Sequence, residues 1–146
     1  MKKNANKGFS LVELIIVIAI MAVLIGVLAP QFIKHVENSR QSTDLDNVTA
    51  VKTAIEAAVA DETIKGTDAT VTINVNGNKA TVTSTDTTGL ATALSEVGLS
   101  SEINMKSSGW PTGDHKFVYS INDYKWTPVS CENTKGKKNN MNSIFE

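Results

Sequence analysis

Hydrophobic and polar positions change their rhythm twice along the chain. From Phe9 to Pro30 the sequence FSLVELIIVIAIMAVLIGVLAP is almost wholly apolar, and residues 14–29 form 16 consecutive apolar or glycine positions. As a helix that run would be ~24 Å long, and ~33 Å when extended to Phe9 and Pro30, close to the ~30 Å of bilayer hydrocarbon. Past Pro30 the apolar positions thin to a stripe. Phe32, Val36, Leu45, Val48, Val51, Ile55 and Val59 recur mostly at three- and four-residue steps, with Lys34, Glu37, Arg40, Asp44, Lys52 and Glu56 on the other faces. The pattern predicts a long helix, apolar in its first half and amphipathic in its second, that ends near Asp61.

After Gly66 the period becomes two. In ATVTINVNGNKATVTS, residues 69–84, Val71, Ile73 and Val75 alternate up to Asn76-Gly77, and Ala80 and Val82 alternate after it, the signature of a hairpin. TTGLATALSEVGL then sets Leu90, Leu94 and Val97 at helical steps before Gly98, a short helix with a glycine stop. In KFVYSINDYKWTPV, Phe117, Tyr119 and Ile121 share one face, Asn122-Asp123 turns the chain, and Tyr124 and Trp126 return. Such strands make a small antiparallel sheet against the C-terminal half of the long helix, an α+β fold. SSGWPTGDH between the hairpin pairs reads as a surface loop, with Trp110 packing it onto the sheet or serving as a binding residue.

At 146 residues, with the apolar N-terminus set aside, one modest domain is the ceiling. The balance of 14 basic and 15 acidic residues has no excess of the kind a nucleic-acid binder carries. Position matters more than the total. Lys2, Lys3 and Lys7 precede the apolar run without an acid among them, which keeps an N-terminus cytoplasmic and sends the rest outward. One cysteine, Cys131, leaves no intramolecular disulfide, and reads as a buried thiol or one that pairs between chains.

Three readings of the N-terminus compete. A cleaved signal peptide shares the basic start, but its small-residue exit at residues 27–29 would run straight into Pro30, and the apolar run exceeds the usual ~7 to 15 residues. A plain single-pass anchor explains the length and the lysines and gives Glu13 no use, although a carboxylate costs ~2.5 kcal/mol or more near the centre of a bilayer. The mature N-terminus separates them: Pro30 or later for a secreted protein, Met1 for an anchor.

The third reading rests on GFSLVELIIVIAIMAVLIGVLAP, which resembles the processing and assembly signature of type IV pilins and pilin-like proteins. The resemblance covers about the first 30 residues and continues only as a helix pattern for about 30 more. It implies a leader of residues 1–8, cleavage between Gly8 and Phe9 by a prepilin peptidase, N-methylation of Phe9, an assembly helix at 9–30, its amphipathic half at 31–62, and a head at 63–146 in the pilin fold. Glu13 then falls at the fifth mature position and Pro30 at the twenty-second. Glu13 is expected to pair with the Phe9 amine of a neighbour, or of its own chain before assembly, because two opposite charges in hydrocarbon cost less together than apart. Ser10 is a helix N-cap or a bystander.

Gly26 and Pro30 weaken a helix, the first through backbone entropy and the second by removing a donor, so a kink or local unwinding is expected between Ala22 and Pro30. Two positions depart from the family pattern, Ala22 standing for a common glycine and Ala50 for a frequent second proline. The polar stretch ENSRQSTDLD, residues 37–46, is the expected exit of the helix from a fibre core. Loss of the leader takes the 14 basic residues to 11 against 15 acidic ones, an acidic fibre.

The implied function is a structural subunit of a type IV pilus serving adhesion, motility or biofilm. It would be held first as a single-pass precursor in the inner or cytoplasmic membrane and then polymerised with copies of itself by an assembly ATPase and a membrane platform protein. A minor pilin or pseudopilin of a secretion or DNA-uptake machine shares the same N-terminus, and a secreted binding protein is the rival from another class. Enzymatic chemistry finds no support: His35 and His115 lie in different elements, Asp44 and Asp46 face different sides of a helix, and neither a cofactor motif nor a metal-ligand set appears. Lys135, Lys137 and Lys138 make a thin patch on a solvated tail, so nucleic acid is not an expected partner.

Overall fold

A computed structural model describes residues 8–66, 69–127, 131 and 141–145. Helix α1 spans Leu11–Ala60, within one residue of the end read from the apolar stripe. Packing divides the chain into two units, one up to Val36 and one from Glu37 onward.

In the first unit α1 is helical throughout, and the loss of helix expected between Ala22 and Pro30 does not occur. The reason is local. Proline at position 30 forfeits only its own bond, to the carbonyl of Gly26, while the bonds on either side persist. Gly26 has open space around its Cα, so nothing crowds the turn. In the single chain, then, Gly26 and Pro30 do not break the helix.

In the second unit, strands β1 (Thr70–Asn76), β2 (Lys79–Ser84), β3 (Glu102–Asn104), β4 (His115–Ser120) and β5 (Lys125–Thr127) form an antiparallel sheet in the order β3-β2-β1-β4-β5. The first hairpin pairs Asn76 with Lys79, so its two loop residues are Gly77 and Asn78, one step later than the Asn76-Gly77 turn read from sequence. Positive φ at the first loop position alone is the mark of a II′ turn, for which glycine is the ordinary choice. The β4–β5 hairpin turns over four residues, 121–124, and Tyr124 belongs to that turn and is exposed rather than returning in a strand. The three-residue β3, too short to show a period, escaped sequence reading.

Helix α2 (Thr87–Glu96) stops at Gly98 as expected, with Leu90 and Leu94 buried. Val97, placed on the same face by spacing, is exposed because the helix has ended before it. Its N-cap, Asp86, accepts hydrogen bonds from the N–H of Gly89 at 3.0 Å and, through its other oxygen, from the N–H of Lys65 at 3.0 Å. A Cβ at Gly89 would lie 2.3 Å from the Thr63 carbonyl oxygen and 2.9 Å from the Ile64 Cα, so α2 meets the segment after α1 at a distance only glycine permits.

Inward residues of β1, β2 and β4, namely Val71, Ile73, Val75, Ala80, Val82, Phe117 and Tyr119, pack on Val48, Val51, Ile55 and Val59 of α1. Phe32, at the start of the amphipathic stripe, is exposed, and Val36 and Leu45 are half-buried. Burial on the stripe is complete only from Val48 onward. The C-terminal end is not a free tail: Met141 and Phe145 are buried, and Phe145 stacks on Phe117 with ring centroids 4.3 Å apart and tilts against Trp126 at 4.7 Å. The three lysines of the tail lie outside the described residues.

Candidate functional site

Residues 10–13 read Ser-Leu-Val-Glu and open α1. The N–H of Ser10 donates to Glu13 Oε2 at 2.9 Å, and the Ser10 carbonyl accepts from the N–H of Leu14 at 3.2 Å. Ser10 is therefore the N-cap and Glu13 the third helical residue reaching back to it, the glutamate half of a capping box. Ser10 holds the N-cap position, and both of these bonds run through its backbone. Glu13 also sits at the end of the helix where its dipole favours an anion. Gly8 and Phe9 lie exposed just ahead of this turn.

From Phe9 to Ile33 every large apolar side chain is turned outward, with exposures from 46% at Val17 to 84% at Phe9. Glu13 is the one charged residue in that stretch. By length and composition α1 can cross a membrane. A surface this apolar and this continuous far exceeds what a monomer in water tolerates, and marks contact with lipid or protein.

A second constellation lies within the unit that begins at Glu37, and sequence reading missed it. Asp44, assigned to a polar face, is fully buried. One of its carboxylate oxygens accepts from the N–H of Lys106 at 2.7 Å, and the other from the N–H of Ser107 and the indole N–H of Trp110, both at 2.8 Å. The Ser107 hydroxyl donates to Glu37 Oε1 at 2.6 Å, and Arg40 lies 3.8 Å from the other oxygen of Glu37. The stretch 37–46 is polar because it receives this loop, with buried Gln41 on the same segment. Trp110 thus ties the loop to α1 through its indole N–H while its ring lies buried in the core cluster that the strands share. The available signal was an aspartate in an amphipathic helix together with a loop tryptophan that needs an acceptor for its N–H. Further along α1, Glu56 accepts from the indole N–H of Trp126 at 2.8 Å.

Cys131 is buried, and burial pushes its thiol up to about 11. That environment makes an inert sulfur. Its backbone does the joining: the Cys131 carbonyl accepts from the N–H of Met141 at 3.0 Å, and its N–H donates to the side-chain oxygen of Asn142 at 3.3 Å. The C-terminal segment is tied down without a disulfide. Among the described residues no group of His, Cys, Asp and Glu could hold a metal ion.

A family model described as the prokaryotic N-terminal methylation motif matches residues 3–29, a span that includes Gly8, Phe9, Ser10 and Glu13. The chain is 33% identical over 89 residues to prepilin peptidase-dependent protein A of Clostridium perfringens, covering 60% of this chain and 64% of that one. It is 29% identical over 145 residues to fimbrial protein EcpC of Eikenella corrodens, covering 91% and 95%, and 37% identical over 59 residues to the type IV major fimbrial protein FimA of Dichelobacter nodosus, covering 40% and 38%. The chain thus carries the N-terminal methylation motif and is similar to fimbrial and type IV pilin proteins. Pilins are structural subunits, not enzymes. The chain spans less than two thirds of the length of the clostridial relative and just over a third of that of FimA, where the likeness is confined to 59 residues. No solved structure matches the chain.

Proposed function

We propose that the chain is a subunit of a type IV pilus, cleaved between Gly8 and Phe9, methylated on the new Phe9 amine and polymerised with copies of itself. The observation that carries this reading is the outward apolar surface of residues 9–33, bearing a single carboxylate at its N-terminal turn. Such a surface is satisfied by lipid before assembly and by the same surface of other copies afterwards. Hydrolysis of the Gly8–Phe9 bond leaves an amine one residue from the backbone N–H that Glu13 already accepts from. In the monomer that carboxylate caps its own helix. In a fibre it turns to the Phe9 amine of a neighbour, since both charges lie in an apolar setting and are costly apart.

The name of the clostridial relative, prepilin peptidase-dependent protein A, supports the cleavage step, and the fimbrial names of the others support the fibre. Export by an assembly ATPase and a platform protein, and a role in adhesion, motility or biofilm, complete the proposal. The test is the N-terminal residue and mass of protein recovered from sheared cell-surface material. Methylated Phe9 in abundance is the expected result, and a scarce methylated Phe9 would turn the reading to a minor pilin or pseudopilin. Intact Met1 confined to membranes would return the chain to a plain anchor.

A further inference from the structure

Two residues other than glycine have positive φ among the described residues, Glu62 at 61° and Tyr124 at 50°. Glu62 follows the last turn of α1, where its N–H bonds the Val59 carbonyl at 3.3 Å, and Tyr124 closes the β4–β5 turn. Both are left-handed positions at which glycine or asparagine is least strained. A carboxylate and an aromatic ring are held there against local preference, 62 residues apart in sequence, and both line the same groove. Strain retained at two separate points of one cleft is a mark of function.

The groove has a volume of about 480 Å³, within the ~300 to 1,000 Å³ of small-molecule sites. Its floor is Val59 and Ile64, both buried, with half-buried Ile121, and its rim carries Glu62, Lys65 and Tyr124. Tyr124 is 71% exposed, an aromatic ring open to solvent at the rim. A pyranose fits these features: one face of C–H groups to lie on the tyrosine ring, and equatorial hydroxyls that donate to a carboxylate and accept from an ammonium. The opposed charges of Glu62 and Lys65 favour an uncharged sugar over a sialic or uronic acid.

We infer that the groove between the end of α1 and the β4–β5 turn is a binding site for a neutral hexose, presented by a surface glycan. The inference builds on the surface-attachment part of the proposed function, but its test does not depend on the fibre. The full chain in detergent micelles is titrated separately with methyl β-galactoside, methyl α-mannoside and N-acetylglucosamine while backbone amide shifts are followed. At least one sugar is expected to give saturable shifts at Gly66 and residues 121–125, with a Kd of about 1 mM or tighter. Tyr124→Gly relieves the left-handed strain, so it should keep or raise the melting temperature while weakening binding by about tenfold or more. Tyr124→Phe keeps the ring and should retain binding. Silence of the groove amides with all three sugars, undiminished binding by Tyr124→Gly, or a drop in its melting temperature would each overturn the assignment. None of these results bears on whether Phe9 is the mature N-terminus, so the two readings fail separately.

Discussion

Helix α1 contains two regions with the same backbone and opposite surroundings. In residues 11–33 the apolar side chains all face outward, whereas from Val48 to Val59 the apolar stripe is buried under the sheet. Apolar content does not account for the difference, because the exposed half is the more apolar of the two. What differs is the presence of a partner within the chain. The head supplies strands with a period of two to cover one stripe of the helix, while a helix apolar all round has no single face that one sheet could cover. The first half is built for an environment it does not contain, and the second brings its own.

The largest effect should come from removing one large side chain in each region. Phe117 is fully buried and stacked on Phe145, so Phe117→Ala is expected to destabilise the head by about 3 to 5 kcal/mol. Ile20 is 55% exposed and is not among the residues of that core, and Ile20→Ala should leave head stability within about 0.5 kcal/mol of the parent. Urea unfolding of the full chain in micelles reports on the head alone, because both tryptophans, Trp110 and Trp126, are there. Equal shifts for the two variants would mean that the regions share one core after all.

A smaller effect sharpens the boundary. Asp44→Ala strips the acceptor from two backbone N–H groups and an indole at once, all within the buried loop contact, and is expected to cost about 3 kcal/mol. Trp110→Phe removes one of those three bonds and keeps a ring in place, for about 1 kcal/mol. The same unfolding experiment, followed through Trp126, gives both values. If Asp44→Ala proved harmless, the polar stretch 37–46 would be a solvated connector and the first buried layer of the head would begin at Val48.

How much of this was legible depended on whether the signal was periodic. The alternation of Val71, Ile73 and Val75 and the spacing of Val48, Val51, Ile55 and Val59 placed the main hairpin and its covering helix, since both follow from which side faces water. The Gly8, Phe9 and Glu13 spacing identified the N-terminal signature, and the matching family model covers those residues. Contacts made by a single polar side chain were not legible. Nothing in the spacing distinguishes buried Asp44 from exposed Asp46, because a helix position reads as polar whether water or a loop satisfies it. Nor did a lysine-rich tail announce that Met141 and Phe145 return to the core, five residues being too few to show a period. The unbroken helix at Pro30 corrects a propensity argument that counted the lost bond and not those retained beside it.

The smallest effect is a dependence on acid, and it too belongs to the head. The Asp86 carboxyl is held below its ordinary 3.8, first by the N–H of Gly89 and then by that of Lys65, which the ionised form accepts. A carboxyl whose folded value is depressed adds stability that is complete above the ordinary value, and fades as pH falls from there through the lower folded value. The bridge between the start of α2 and the segment after α1 should therefore loosen below about pH 4. Asp86→Asn keeps an acceptor for Gly89 but sets an amide N–H₂ toward the Lys65 donor. It should be less stable than the parent at neutral pH, with the difference shrinking as pH falls through that window. Asp61, lowered chiefly by the Thr63 side chain and then by its N–H, contributes to the acid limb in the same direction, so Asp86→Asn flattens that limb without abolishing it. A constant difference between variant and parent from pH 7 to pH 3 would show that ionised Asp86 adds nothing beyond an ordinary cap, and that the join between α1 and α2 rests on the close fit at Gly89 alone.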